Sequence, residues 1–398
     1  MKKRALLLGI GAGIAAGYTA VRTIEAVFEW REPAPPRAKD AAAYARIRRA
    51  YEIADAVRGT IGFIAFAYGP LARALDAKLP RVATWLLPAI YFGQISLASA
   101  LVDMPASFVQ EHALERRFGL TDQTRRAWLG EYAKAALLSS GLTALLATLL
   151  GIAVRHAPRW WPWIASVGTL PLFVAGNVIV PVYVLPLFNA FEPVTGPLET
   201  RLRRLAKRFG VGDAAILRMD MSRQTRKANA FVTGIGTTHR IVLGDTLIGP
   251  FPEEEVEFVV AHELGHYVSK DTWRMIGLGE IFSIVLFLVA NATAASKDER
   301  EALRKRPLLL LRIYAVMLAA SQALRPILFA FSRSREWAAD RFAIAATRDP
   351  RAGASAFRRL RDQNLADEDP PGWYEFFFSS HPSLRARIAA LDNSTLSP

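Results

Sequence analysis

Seven apolar blocks, each close to the roughly 20 residues that cross the hydrocarbon layer of a bilayer, limit what this chain can fold into. They occupy 5–21, 60–79, 84–104, 135–154, 163–187, 275–295 and 307–331. The second carries Arg73, Asp76 and Lys78 near its end, which sets it apart from the others. A hydrophobic share of 52% agrees with a membrane protein and exceeds what a soluble enzyme usually shows. The first block follows MKKR and has the look of a signal peptide, but Gly9, Gly13 and Gly17 repeat every four residues. That repeat is a small-residue face on which membrane helices pack closely, so a retained helix is expected.

Between the blocks lie four long charged segments, 22–59, 105–134, 189–274 and 332–398, and seven spans place all of them on one side. That side holds most of the Lys and Arg and is therefore expected in the cytoplasm, with the N-terminus outside. Lys2, Lys3 and Arg4 then oppose the positive-inside tendency, and the larger charge decides. The net charge of +14 is read as basic loops facing anionic lipid. No nucleic-acid partner is expected, because the arginines are scattered between apolar blocks and no recognition motif is present. The 398 residues include no cysteine, which removes disulfides, thiol nucleophiles and thiolate metal ligands together.

The stretch AHELGHYVSKD, from Ala261 to Asp271, places two histidines four residues apart with a glutamate after the first. On a helix, His262 and His266 share a face, so both imidazoles can aim at one ion with Glu263 beside it. Two imidazoles and a carboxylate leave a fourth tetrahedral position of Zn2+ for water, with Glu263 as general base. The bland reading is two surface histidines meeting by chance, and context must separate them. Pro252 and three following glutamates suit the first turn of a helix that carries the motif. Upstream, ANAFVTGIGTTHRIVLGDTL, 228–247, reads as a β-hairpin around Gly234, Gly236 and Thr237.

A third ligand is needed, and SRSREWAAD, 332–340, is the best source. There Glu336 and Asp340 are again four apart, so Glu336 can reach the ion while Asp340 hydrogen-bonds the other nitrogen of a ligand histidine. The alternative is a solvated helix in which Arg335 and Arg341 pair with those acids. His112, His156 and His239 have no ligand-spaced partner and are assigned interfacial or solvated roles. Trp160, Trp161 and Trp163 read as an aromatic belt, and REPAPPR, 31–37, as a short stiff linker.

Taken in order, FVQEHALERRFGLTDQT (108–124), ANAFVTG, HELGH, SRSREWAAD and HPSLRARI (381–388) make the chain resemble the integral-membrane zinc metalloendopeptidases typified by the type 1 CAAX prenyl protease. The resemblance implies that His262, His266 and Glu336 bind zinc, that Glu263 activates water, and that Asp340 supports a ligand. It also implies that Asn229 lines the cleft beside an edge strand where an extended peptide can add. His381 matches the family histidine that steadies the oxyanion; the other reading is a loop histidine capping the HPSLRARI helix. Arg385 and Arg387 are candidates to contact a substrate carboxylate.

The expected fold is therefore mainly α: about seven transmembrane helices and a zincin-like catalytic domain with a small β-hairpin or sheet. Its expected divisions are an N-terminal membrane region (1–187), a zincin core (188–274), two further spans (275–331) and a C-terminal catalytic part (332–398). The expected activity is peptide hydrolysis in or at the bacterial inner (plasma) membrane, with the catalytic domain on the cytoplasmic side. The substrate implied by the resemblance is an isoprenylated CAAX-type C-terminus. Quality control of damaged membrane proteins is the rival within the class, and a non-catalytic membrane scaffold, which predicts a broken motif, is the rival outside it.

Overall fold

The computed structural model describes residues 2–31, 40–80, 82–234 and 238–394. The expected stiff linker lies, beyond Arg31, outside the described residues. The first apolar block becomes α1 (Lys2–Arg31), which runs antiparallel to α2 (Ala41–Tyr68). The direction follows from the contacts. Tyr18 Oη donates to Asp55 Oδ1 at 2.7 Å, and Tyr51 Oη donates to Glu25 Oε1 at 3.1 Å. The close-packed face of α1 is not the expected one. No described atom lies within 4 Å of a β-carbon built on Gly9, Gly13 or Gly17. Gly11 and Ala15 make the approach instead: a β-carbon on Gly11 would lie 2.8 Å from Ile61, and one on Gly62 would lie 2.8 Å from Ala15. The small-residue stripe is real but shifted by two positions.

The second block does not form one span. Gly69 and Pro70 divide it, because proline lacks the N–H that would continue the helix, and the chain restarts as the short α3 (Pro70–Ala77). The preceding helix starts well before the block, capped by Asp40, and its N-terminal two-thirds carries Arg46, Arg48, Arg49, Glu52, Asp55 and Arg58. Next come α4 (Leu87–Ser107), a π-helical segment Phe108–Ala113, α5 (Leu114–Arg117), α6 (Arg125–His156) and α7 (Trp161–Ile179). Among the described residues, six helical stretches are long and apolar enough to cross a membrane: Leu7–Arg31, Leu87–Arg117, Arg125–His156, Trp161–Leu187, Asp271–Thr293 and Pro307–Thr347. Leu101, Leu137, Val167 and Ile281 point outward on them, as lipid-facing residues do. Of the tryptophans, Trp160 and Trp163 are exposed as a belt requires, whereas Trp161 is buried and donates from Nε1 to Asn291 Oδ1 at 3.0 Å.

After the membrane region the chain builds a four-stranded sheet in the order β1 (Phe191–Pro193), β2 (Ala215–Met219), β4 (Arg240–Gly244), β3 (Ala230–Thr233). β2 and β4 are parallel, and the outer pairs are antiparallel. The expected hairpin is the β3–β4 pair, with Ala230 opposite Leu243 and Thr233 opposite Arg240. Gly234 turns the chain at φ 94°, and a β-carbon there would lie 2.2 Å from the Thr238 carbonyl oxygen. Ile235, Gly236 and Thr237 of the loop lie outside the described residues.

Two helices, α8 (Pro197–Arg208) and α9 (Glu253–Val268), cover the sheet through a core that includes Leu202, Leu205, Ile241, Leu243, Phe258 and Val260. α9 opens on Pro252 with Glu253, Glu254 and Glu255 in its first turn, where the helix dipole favours negative charge. The chain then leaves as α10 (Asp271–Thr293), turns through α11 (Lys297–Leu303) and returns as α12 (Pro307–Thr347). α12 has 41 residues, about 60 Å at 1.5 Å per residue, so it outreaches a hydrocarbon layer about 30 Å thick. Its last turns therefore belong to the sheet-bearing end, where α13 (Pro350–Asn364), α14 (Gly372–Phe378) and α15 (Leu384–Asp392) complete the fold.

Candidate functional site

The site forms where α9 crosses the end of α12. Gly265 permits the crossing: a β-carbon there would lie 3.0 Å from Ala339 Cα and 3.2 Å from Phe342 Cβ. One helical turn places His262 and His266 on the same side of α9, their rings 4.9 Å apart and perpendicular. Glu336 projects from α12 between them. His262 Nε2 lies 3.4 Å from Glu336 Oε2, and His266 Nε2 lies 3.4 Å from Glu336 Oε1. One ligand atom from each of the three residues falls within 4.8 Å of the others.

This arrangement fits a divalent cation. Ligands about 2.0–2.1 Å from a tetrahedral ion stand roughly 3.3 Å apart, close to the two separations seen. Glu336 Oε2 is buried, and among the described residues it has no hydrogen-bond partner, although Arg387 Nη1 stands 3.2 Å away. A buried carboxylate oxygen left in that state has an obvious use as a ligand. The donor set of two nitrogens and one oxygen also matches a site that keeps a position open.

Each histidine is held from behind by a second carboxylate. His262 Nδ1 lies 2.9 Å from Asp340 Oδ1, as the spacing of SRSREWAAD predicts. His266 Nδ1 lies 3.0 Å from Asp271 Oδ2, a partner that sequence reasoning missed even though Asp271 closes the same eleven-residue motif. An ionised carboxylate only accepts, so in both rings Nδ1 carries the proton and Nε2 is turned to the centre. Both carboxylates are anchored in turn. Arg387 donates to Asp340 through Nε at 2.8 Å and Nη2 at 2.7 Å, and Arg335 Nε donates to Asp271 Oδ1 at 2.6 Å. Burial alone would lower the pKa of His262, but hydrogen bonds to Asp340 and Glu336 outweigh it and push the ring up to about 9. His266 follows the same logic: burial lowers its pKa, and Glu336 with Asp271 raises it on balance.

Glu263 lies beside His262, and burial raises its carboxyl above the usual range. His381 also arrives at the site, its Nε2 3.4 Å from Glu336 Oε1 and its Nδ1 2.9 Å from Ser380 Oγ. It does not cap the following helix; Ser383 does, accepting from the Ala386 N–H at 3.2 Å. Asn229 is exposed just before β3, which is an edge strand of the sheet, and its carbonyl accepts from the Gly244 N–H at 2.9 Å. The two arginines diverge from expectation. Arg387 is buried against Asp340 and Glu336 and is committed to them, whereas Arg385 is on the surface and pairs with Asp369 at 3.1 Å. Arg335 pairs with Asp271 rather than with Glu336 or Asp340.

Comparison with known proteins places the chain among relatives. Residues 194–395 match the model of a family described as Peptidase family M48, and residues 35–190 match one described as CAAX prenyl protease N-terminal, five membrane helices. Among relatives, a Bacillus subtilis (strain 168) protein named Uncharacterized metalloprotease YhfN is 30% identical over 316 residues, which is 76% of this chain and 73% of that protein. CAAX prenyl protease 1 of Saccharomyces cerevisiae is 25% identical over 343 residues, 81% of this chain and 76% of that protein. The crystal structure of S. mikatae Ste24p superposes with a TM-score of 0.77, covering 97% of this chain and 99% of that one. At 22% identity that likeness is one of fold.

Proposed function

Since this chain belongs to peptidase family M48 and is a membrane metalloprotease of the CAAX prenyl protease type, we propose that it is a zinc endopeptidase that trims the C-termini of isoprenylated, CAAX-type peptides. The observation that carries the reading is the convergence of His262 Nε2, His266 Nε2 and Glu336 beside Glu263, each histidine braced by its own carboxylate. The substrate class draws its support from relatives named CAAX prenyl protease 1 and from the membrane helices that deliver the site to a lipid surface.

His262, His266 and Glu336 would hold the zinc ion. Bound there, zinc supplies Lewis acidity, polarising a scissile carbonyl and lowering the pKa of a water in the open position. Glu263 takes the proton of the attacking water on its carboxylate and hands it to the leaving amine nitrogen. Its raised pKa suits a group that must hold that proton between the two transfers. His381 donates a ring N–H to the carbonyl oxygen as charge grows on it. Asp340 and Asp271 keep both ligand rings in the tautomer that presents Nε2. Asn229 meets the backbone of a peptide added to the β3 edge.

The catalytic end faces the cytoplasm of a bacterial cell, a placement supported by the basic excess of the segments on that side. Cleavage of a farnesylated CAAX peptide, measured against its unlipidated twin, tests the substrate class. Preference for the lipidated form is expected; equal cleavage of both would move the reading to general proteolysis of membrane proteins.

A further inference from the structure

On the sheet-bearing side of the bundle, α4 leaves its apolar run and α6 begins. Between them is a cleft lined by Glu29, Phe108, His112, Ala113, Arg116, Arg117 and Arg125. His112 is 1% exposed, stacked on Phe108 at 5.2 Å with Trp128 at 6.2 Å, so ring contacts fix its plane. Yet neither of its nitrogens has a hydrogen-bond partner among the described residues, and neither does the buried Nε of Arg117. Sequence reasoning gave His112 a solvated or interfacial role; the structure buries it in the wall of a basic cleft.

Buried polar groups are almost always satisfied, so three unsatisfied nitrogens around one cleft call for a partner. All three belong to side chains that bear N–H groups. The described lining holds three arginines against one acid, Glu29, and the first turn of α6 starts at Arg125, where the helix dipole adds positive potential. Arg125 Nη1 donates to the Trp30 carbonyl at 2.5 Å and its guanidinium lies over the Trp30 ring, which is itself exposed. An exposed tryptophan beside arginines at the end of an apolar helix marks the headgroup level of a bilayer. Arginine forks match the oxygens of a phosphate.

We propose that this cleft, which at about 20 Å³ admits one water-sized group, takes a single oxygen of a phosphate at the membrane surface, supplied by an acidic phospholipid headgroup, with His112 donating to that oxygen from within and Arg116, Arg117 and Arg125 meeting the others at the mouth. The site is independent of the metal centre. The test is native mass spectrometry of the purified full chain in detergent, titrated with phosphatidylglycerol, phosphatidylcholine or inorganic phosphate.

Phosphatidylglycerol should bind about tenfold more tightly than phosphatidylcholine, and His112→Phe, which keeps the ring stack, should lose about tenfold of that affinity. Arg116→Gln alters an exposed side chain and gives the same reading if the buried substitution misfolds. Displacement of the lipid by inorganic phosphate would show that the phosphate alone is read, and failure to displace it would show that the lipid is the source. Equal binding of both lipids, or variants that hold phosphatidylglycerol as the wild type does, would overturn the proposal.

Discussion

Asp271 stands 3.0 Å from His266 Nδ1, and its other oxygen accepts from Arg335 on α12 at 2.6 Å. The short turn after α9 thus ties His266 to the helix that carries Glu336. Asp271→Asn keeps the shape but leaves one acceptor oxygen where His266 and Arg335 each use one, and removes the negative charge that holds the His266 tautomer. Metal affinity should fall roughly 10–100-fold in a chelator competition assay. Unchanged affinity would assign Asp271 to folding alone.

Gly265 tests how closely α9 and α12 must approach. Gly265→Ala puts a methyl group 3.0 Å from Ala339 Cα and should cost about 1–3 kcal/mol by overpacking, together with weaker metal binding. Gly130→Ala on α6 is the control, since no described atom lies within 4 Å of its added β-carbon. There the gain in helix propensity should leave stability equal or up to about 1 kcal/mol higher. Thermal unfolding of both variants with and without metal decides the matter.

Proton and metal compete for the same nitrogens. His262 is raised to about 9 and His266 is also raised, so metal-free protein at neutral pH carries protons that binding must expel. Apparent metal affinity should therefore rise with pH, about tenfold per unit for each proton displaced. Stability of the metal-free protein should run the other way. A raised folded pKa gives His262 a stabilising contribution that is complete below its unfolded value near 6.5 and is lost as pH climbs through about 9. Calorimetric titration in buffers of different ionisation enthalpy counts the protons released, and a count of zero would contradict this account.

The convergence of His262, His266 and Glu336 was legible because the pattern that produces it is local. A helix fixes what i and i+4 share, so HELGH and EWAAD each declare a face before the fold is known. The Gly9, Gly13 and Gly17 stripe misled because a helix rich in small residues offers several such stripes, and only the facing helix selects Gly11 and Ala15. Block two read as one span because apolar content hides a break; Gly69 and Pro70 were the missed signal. Arg387 could not be placed from sequence. Burying a guanidinium becomes tolerable only when Asp340, 47 residues away, and Glu336 are brought to it.

The account stands on a cation gripped by His262, His266 and Glu336 with Glu263 moving the proton. The most direct measurement is metal content and peptide cleavage by purified Glu263→Gln beside the wild type. The account predicts one zinc per chain in both, with turnover lowered about 10²–10⁴-fold in the variant. Cleavage at the wild-type rate by the variant would contradict it.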